Sequence, residues 1–135
     1  MYPDVPLNGS KPARLVHSVV ARNQDDHVKN IAFLMDKRGI WQLAPAFDVM
    51  YSFNPLFAWT SRHQMTINGK QDGFTRSDFE KCAEVARISP SVVRAILAEV
   101  IEAVSNWSVI ASDVGIPDHM RIPIGKNHRL IFQNR

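Results

Sequence analysis

Apolar residues recur at helical spacing in two separate parts of the chain. Near the N-terminus they predict a helix that ends near Arg22, on the positions Leu15, Val16, Val19 and Val20. In the second half, the same spacing predicts a helix after Thr75 and another after Ser89, on the positions Phe79, Cys82, Ala83, Ala86, Val93, Ile96, Leu97, Val100, Val104, Trp107 and Ala111. Most of the chain is therefore expected to be helical.

Polar and turn-forming residues mark the ends of these predicted helices. Thr75 with Asp78 resembles a capping arrangement, and Ser89 followed by Pro90 is a strong helix start. Gly115 is expected to end the last helix, because glycine readily adopts the left-handed conformation that closes a helix. The apolar positions after Ser89 are thus predicted to lie on one continuous helix.

Between the helices the pattern changes to short apolar runs separated by turns. Residues 31–35 and 40–43 flank residues 36–39, and the glycine of that turn can adopt a positive φ. This pattern predicts a β-hairpin, and Pro45 prevents its second strand from continuing into a sheet interior. Residues 64–67, before an Asn-Gly pair, are expected to form a further short strand. The predicted fold class is mainly α (α+β), with one or two small β-hairpins.

Length and composition indicate one globular domain. The 135 residues are 45% hydrophobic and 21% charged, and residues 1–14, which contain three prolines, are expected to form an irregular lead-in to a domain of residues 15–135. The net charge of +3 does not by itself indicate an anionic partner, so no direct nucleic-acid binding is expected. The single Cys82 excludes an internal disulfide. With no signal-peptide pattern and no apolar run of about 18–20 residues, a cytoplasmic protein that does not span a membrane is expected.

The candidate chemistry lies in residues 25–30, Asp-Asp-His-Val-Lys-Asn, and in Asp48 beyond the predicted hairpin. Asp25 and Asn30 are five positions apart, which is the spacing of the base and the metal-holding asparagine in a protein-kinase catalytic loop. The hairpin would return the chain so that Asp48 approaches Asn30. Phosphoryl transfer requires such a carboxylate base and such oxygen ligands for Mg²⁺. The alternative is a solvated connection in which the Asp and Asn side chains only stabilise turns.

From about residue 15 onward, the chain resembles the C-terminal lobe of HipA-like serine/threonine kinases, the toxins of bacterial toxin–antitoxin systems. The resemblance is carried by residues 25–30, by Phe33-Leu34 and by residues 43–49, Leu-Ala-Pro-Ala-Phe-Asp-Val. Residues 67–70, Ile-Asn-Gly-Lys, are a weaker match. The loop together with the second segment is fairly specific, whereas either alone would be weak.

The resemblance implies roles for five residues. Asp25 matches the catalytic aspartate, while Asn30 and Asp48 match the ligands of the Mg²⁺ that accompanies ATP. By similarity to the loop of phosphatidylinositol 3-kinases, His27 would approach the transferring phosphoryl group, and Lys29 would offset phosphate charge. The resemblance further implies a protein substrate that supports translation and a helix-turn-helix antitoxin as partner.

A kinase of this design also needs a glycine-rich loop and a strand-borne lysine, and the six glycines of this chain are scattered. The chain is therefore expected to form half of an active site and to be inactive without a nucleotide-binding N-lobe, which a separately encoded protein would supply if it is not part of the same gene. One alternative is a non-catalytic module that binds an antitoxin or such an N-lobe. Another is a metal-dependent hydrolase that uses Asp25, His27 and Asp48.

Overall fold

The computed structural model of the chain describes residues 10–132, which fold mainly into α-helices with one small antiparallel sheet. The predicted fold class, mainly α with a small hairpin, is confirmed. In chain order the elements are α1 (Ser10–Val20), a 3₁₀ turn (Val28–Asn30), β1 (Phe33–Met35), β2 (Trp41–Leu43), α2 (Arg76–Val85), α3 (Pro90–Ser105), α4 (Trp107–Asp113) and α5 (Asp118–Asn127).

The hydrophobic core forms where α1 packs against α3, with α2 covering part of the same helix. Its buried residues come from all three helices and from the segment before α2: Val16, Val19, Val20, Ile67, Phe74, Phe79, Ala83, Val93, Ile96, Leu97 and Val104. Burial of these side chains supplies the main favourable free energy of folding, at roughly 1.5–3 kcal/mol for each large apolar side chain. The C-terminal end of α1, where the candidate loop starts, is thereby fixed to the core.

Helix α1 begins earlier than the apolar spacing predicts. It starts at Ser10, so residues 10–14, which were expected to be irregular, are helical. Pro12 lies in the first turn, where a missing backbone N–H removes no intrahelical hydrogen bond. The remainder of the predicted lead-in, residues 1–9, lies outside the described residues.

The predicted hairpin is confirmed, and its turn is organised by Asp36. The Asp36 carboxylate accepts hydrogen bonds from the backbone N–H groups of Arg38 (2.8 Å) and Ile40 (2.9 Å), while Gly39 has a φ of 82°. The strands pair in the register Phe33–Leu43, Leu34–Gln42 and Met35–Trp41. The further strand predicted at residues 64–67 is reduced to an isolated bridge between Ile67 and Lys70.

The single long helix predicted after Ser89 is wrong, because it is broken at Asn106. The side chains of Ser105 and Asn106 donate hydrogen bonds to the carbonyl oxygen of Glu102, at 2.6 and 3.1 Å, and so compete with the helical backbone. A new helix, α4, begins at Trp107 and ends at Asp113. Gly115 follows it with a φ of 79°. The predicted end of the apolar stripe is thus confirmed.

Helix α5 was not predicted, because it contains Pro123 and lacks a regular apolar stripe. It is held against α4 through Trp107, whose indole N–H donates to the carbonyl oxygen of Arg121 at 3.0 Å. The same indole packs on Gly125, where an added Cβ would lie 3.1 Å from the ring. Tertiary packing rather than local periodicity therefore determines this helix.

Within residues 10–132, no single helix is both long enough and apolar enough to cross a membrane. Among the helices that the structure describes, only α3 and α4 taken together, across a bend of 40°, meet that requirement by length and composition. Much of the apolar surface of α3 faces the core, through Val93, Ile96, Leu97 and Val104.

The start of α2 depends on Asp78, a buried carboxylate that accepts four hydrogen bonds. They come from the side chains of Asn68 and Lys70 and from the backbone N–H and hydroxyl of Thr75, each at 2.8 Å. Burial alone would raise the pKa of Asp78, but the hydrogen bonds from Lys70, Asn68 and Thr75 outweigh it and hold this pKa well below its ordinary value. The reciprocal cap predicted for Thr75 and Asp78 is thus present and joins α2 to the preceding turn.

We expect Asp78→Asn to lower the free energy of unfolding at neutral pH by about 1.5–3 kcal/mol, because it removes charge-assisted hydrogen bonds from a buried site. Since the native pKa is depressed, the stability contributed by the ionised carboxylate is present above its ordinary pKa of 3.8 and is lost as the pH falls further. Urea denaturation of both proteins at pH 7 and pH 3 measures this. The difference should shrink at the lower pH, and the exposed control Glu84→Gln should show no such pattern.

Candidate functional site

The candidate loop begins where α1 ends with a left-handed residue. Arg22 has a φ of 61°, and the backbone N–H of Asn23 closes the helix by donating to the carbonyl oxygen of Ser18 at 2.9 Å. Asn23 and Gln24 are buried directly after it, although both are polar. The Gln24 side chain is paired, because it donates to the carbonyl oxygen of Thr60 at 3.1 Å and accepts from Arg22 at 3.0 Å. The start of the loop is thus a fixed part of the interior.

Ser52 ties this loop to the segment that returns from the hairpin. Its hydroxyl oxygen accepts hydrogen bonds from the backbone N–H groups of Gln24 (2.7 Å) and Asp25 (3.0 Å). In the other direction, the Ser52 backbone N–H donates to the carbonyl oxygen of Arg22 at 3.1 Å. These bonds fix the backbone immediately before the Asp25 carboxylate.

Asp25 presents its side chain at the surface, where 48% of the side chain is exposed. Its backbone carbonyl accepts a hydrogen bond from the Asn30 carboxamide at 2.9 Å, which closes the loop over the 3₁₀ turn. His27 lies beside it, with Nε2 at 3.9 Å from the Asp25 carboxylate. The structure therefore brings Asp25, His27 and Asn30 together in one short loop.

Three side chains of the loop, those of Asn30, His27 and Lys29, bear on what it could bind. Because the Asn30 nitrogen donates to Asp25, the carboxamide oxygen of Asn30 remains able to coordinate a cation. The Nδ1 atom of His27 is buried and has no hydrogen-bond partner among the described residues. Lys29 is exposed and carries its charge at the surface.

Asp48 lies on the return segment between the hairpin and Ser52. That segment is held at its start by the Ala44 N–H, which donates to the carbonyl oxygen of Ala32 at 2.9 Å, and at its end by Ser52. Asp48 itself is exposed and has a φ of 53°, a left-handed conformation that aspartate tolerates better than most residues. Within residues 10–132 no hydrogen bond or ion pair joins it to Asp25 or Asn30, and its approach to Asn30 stays a prediction.

Asn30 and Asp48, the predicted metal ligands, offer one amide oxygen and one carboxylate. In the described part of the chain, no group of three or more His, Cys, Asp or Glu side chains is placed to hold a metal ion. Mg²⁺ commonly takes only one or two carboxylates from the protein, with phosphate oxygens and water as its other ligands. One carboxylate from Asp48 and one amide oxygen from Asn30 fit that chemistry.

The second aspartate of the loop faces the interior. The Asp26 carboxylate lies 2.6 Å from Nδ1 of His63 and accepts a hydrogen bond from the backbone N–H of Gln64 at 2.7 Å. On its other side, His63 contacts Arg129. Sequence reasoning gave no role to these residues or to Ser52, because their contacts join positions far apart in the chain. No local pattern could have revealed them.

Exposed apolar side chains border the candidate loop and cover both faces of the hairpin. We call this surface the apolar border; its members are Val28, Ile31, Phe33, Leu34, Met35, Trp41, Phe47, Val49 and Met50. An antiparallel hairpin commonly buries one face, whereas this one has exposed apolar residues on both faces.

We expect Ser52→Ala to loosen the start of the loop, because two backbone N–H groups lose their acceptor at a cost of about 1–3 kcal/mol. Amide hydrogen exchange at Gln24 and Asp25 should become faster, and urea denaturation should give a lower free energy of unfolding. The matched control is Ser112→Ala, at an exposed position of α4. Unchanged exchange at both amides would show that the hydroxyl does not fix this loop.

Comparison with known proteins identifies the family. The family model described as the HipA-like C-terminal domain matches residues 12–107, a range that includes the loop, the hairpin, Asp48 and helices α2 and α3. No curated protein and no solved structure matches the chain. Because the matched range covers more than half of the chain, this protein belongs to the family of HipA-like C-terminal domains.

Proposed function

We propose that this chain is the C-terminal catalytic lobe of a serine/threonine protein kinase, which transfers the γ-phosphoryl group of ATP to a protein hydroxyl. The observation that carries the proposal is the 2.9 Å hydrogen bond from the Asn30 carboxamide to the Asp25 backbone, which joins the candidate base to the candidate metal ligand. The spacing of these residues and membership of the HipA-like family support it.

In this mechanism, Asp25 accepts the proton of a serine or threonine hydroxyl. Its half-exposed carboxylate is accessible to a hydroxyl on another protein, and its backbone is fixed by Ser52 before it and Asn30 after it. Such fixed geometry matters because phosphoryl transfer depends mainly on positioning and electrostatics.

Asn30 and Asp48 would hold the Mg²⁺ that accompanies ATP. When bound, Mg²⁺ neutralises charge on the phosphate oxygens. On the protein side, Asn30 contributes the amide oxygen left free by its bond to Asp25, and Asp48 contributes an exposed carboxylate. His27 and Lys29 lie on the same loop, where they would contact the phosphoryl group and offset its charge.

The nucleotide would be held by an N-lobe that packs on the apolar border. Burying these side chains would contribute roughly 25 cal/mol for each Å² of apolar surface removed from water. The N-lobe would supply the glycine-rich loop and the lysine, either from a longer polypeptide or from a separate protein. In the same proposal, the substrate is a cytoplasmic protein that supports translation, and a helix-turn-helix antitoxin restrains the enzyme.

We expect residues 1–135 alone to show no appreciable phosphotransfer from ATP to protein hydroxyls, and turnover to appear when a cognate N-lobe protein is added. Asp25→Asn should then lower kcat by about 10²–10⁴-fold, since it removes the general base but keeps the backbone hydrogen bonds of the loop. The matched control is Asp113→Asn, at an exposed position on α4. Turnover by the chain alone would contradict its need for an N-lobe, and turnover that survives Asp25→Asn would contradict the proposed role of Asp25 as the base.

We expect Asp48→Asn to raise the Mg²⁺ concentration needed for half-maximal activity in the reconstituted enzyme, because a carboxylate ligand is replaced by a neutral amide. Excess Mg²⁺ should restore part of the activity of this variant but none of the activity of Asp25→Asn. An unchanged Mg²⁺ dependence would remove Asp48 from the metal site.

The second candidate is a non-catalytic module that binds an N-lobe or an antitoxin through the apolar border. The observation that favours it is the extent of this surface, which includes both faces of the hairpin. Binding measurements with the same N-lobe protein separate the two candidates. Tight binding without turnover would favour the module, and turnover that depends on Asp25 would favour the kinase.

A further inference from the structure

The two neighbouring aspartates of the loop lie in opposite environments. The side chain of Asp25 is 48% exposed, whereas that of Asp26 is only 6% exposed. Apart from the 3.9 Å approach of His27, the Asp25 carboxylate makes no hydrogen bond or ion pair with the described residues. Its position is therefore determined by the backbone around it, and that backbone includes Asp26.

Asp26 is the inner end of a chain of contacts that reaches the C-terminal segment. Its carboxylate lies 2.6 Å from Nδ1 of His63, and Nε2 of the same ring lies 2.8 Å from a guanidinium nitrogen of Arg129. The second terminal nitrogen of the Arg129 guanidinium group donates to Asp72. His63 is completely buried, so each ring nitrogen needs its partner.

The direction of these hydrogen bonds follows from Arg129. Burial, followed by the charge of Arg22, lowers the pKa of Arg129 to about 10, so this side chain remains a cation at neutral pH. A guanidinium group has no acceptor, and Nε2 of His63 must therefore accept from it. The proton of the neutral ring then lies on Nδ1 and is donated to Asp26.

Both ends of this chain of contacts are fixed to the domain. The backbone N–H of Arg129 donates to the carbonyl oxygen of Val20, at the end of α1, with a distance of 2.8 Å. The Asp26 carboxylate also accepts backbone N–H bonds from Gln64 at 2.7 Å and Met65 at 3.3 Å. The side chain of His63 thus joins the loop, through Asp26, to the C-terminal segment, through Arg129.

We propose that His63 is a positioning residue of the phosphotransfer site, which acts through Asp26 to orient the backbone that carries Asp25. We call the chain Asp26–His63–Arg129 the relay. The role in phosphotransfer rests on the proposed function, whereas the relay itself does not. The imidazole transfers no proton to substrate and makes no contact with it; its contribution is to hold Asp26 by a directed hydrogen bond.

The rival explanation is that His63 only fills space in the core. Its ring packs edge-on against Phe74, with the centroids 5.3 Å apart, so an apolar side chain of similar size would satisfy a packing role. The two explanations differ in which replacement they tolerate. The amide nitrogen of an asparagine can replace Nδ1 as the donor to Asp26, whereas leucine fills the space but donates nothing.

The test compares His63→Asn with His63→Leu, and His119→Asn, at an exposed position of α5, is the control. In the unmodified chain, ¹⁵N NMR of the His63 ring should show a protonated Nδ1 and an unprotonated Nε2. Amide hydrogen exchange across residues 25–30 should stay close to that of the unmodified chain in His63→Asn and become about tenfold faster or more in His63→Leu. Urea denaturation supplies the global stability of each variant, against which the exchange is compared.

In the reconstituted kinase, His63→Leu should lower kcat by about tenfold or more and leave the KM for ATP nearly unchanged, because a misplaced base affects the chemical step. His63→Asn should recover most of that loss. The proposal would be overturned if His63→Leu matched His63→Asn both in amide hydrogen exchange and in kcat. A His63 ring that carries its proton on Nε2 would also overturn it. If the NMR and exchange results hold but no N-lobe restores turnover, the relay stands and the proposed function fails.

Discussion

The candidate site depends on how the chain leaves helix α1. Once Arg22 turns into the left-handed conformation, the backbone N–H groups of Gln24 and Asp25 can no longer donate to helical carbonyls. Both instead donate to the hydroxyl oxygen of Ser52. The residues around this hydroxyl are buried or half-buried. Leaving buried donors unpaired would cost more free energy than the bonds themselves contribute. One serine therefore fixes the backbone where helix α1 ends and the candidate loop begins.

The local parts of this structure could be predicted from the sequence. Helical spacing located α1, α2 and α3, and the turn at Gly39 located the hairpin. The pairing of Asp25 with Asn30 also follows from a spacing of five residues, because a short turn suffices to bring them together. In each case the determining interactions lie within about a dozen positions in the chain, and a local pattern contains that information.

The parts that could not be predicted depend on contacts between distant positions. The break at Asn106 is an exception, because its hydrogen bonds to Glu102 are local; the spacing of apolar residues does not reveal side chains that compete with the helical backbone. The helix containing Pro123 reflects packing on Trp107, which overrides helix propensity. Likewise, nothing near His63 in the chain indicates that it contacts Asp26 or Arg129. The Asn-Gly-Lys segment is a related case: its sequence indicates a turn and a weak family match, whereas the structure also shows Asn68 and Lys70 bonded to Asp78 at the start of α2.

The C-terminal segment has a consequence for where this domain ends. The family model stops at residue 107, yet Arg129 lies beyond it, and Phe132 packs edge-on against Phe79 of the core with centroids 5.4 Å apart. A shorter chain that ended at residue 107 would lose Arg129, which donates to His63, and Phe132, which packs on Phe79. The folded unit therefore extends past the matched region, and residues beyond position 107 contribute to the interior.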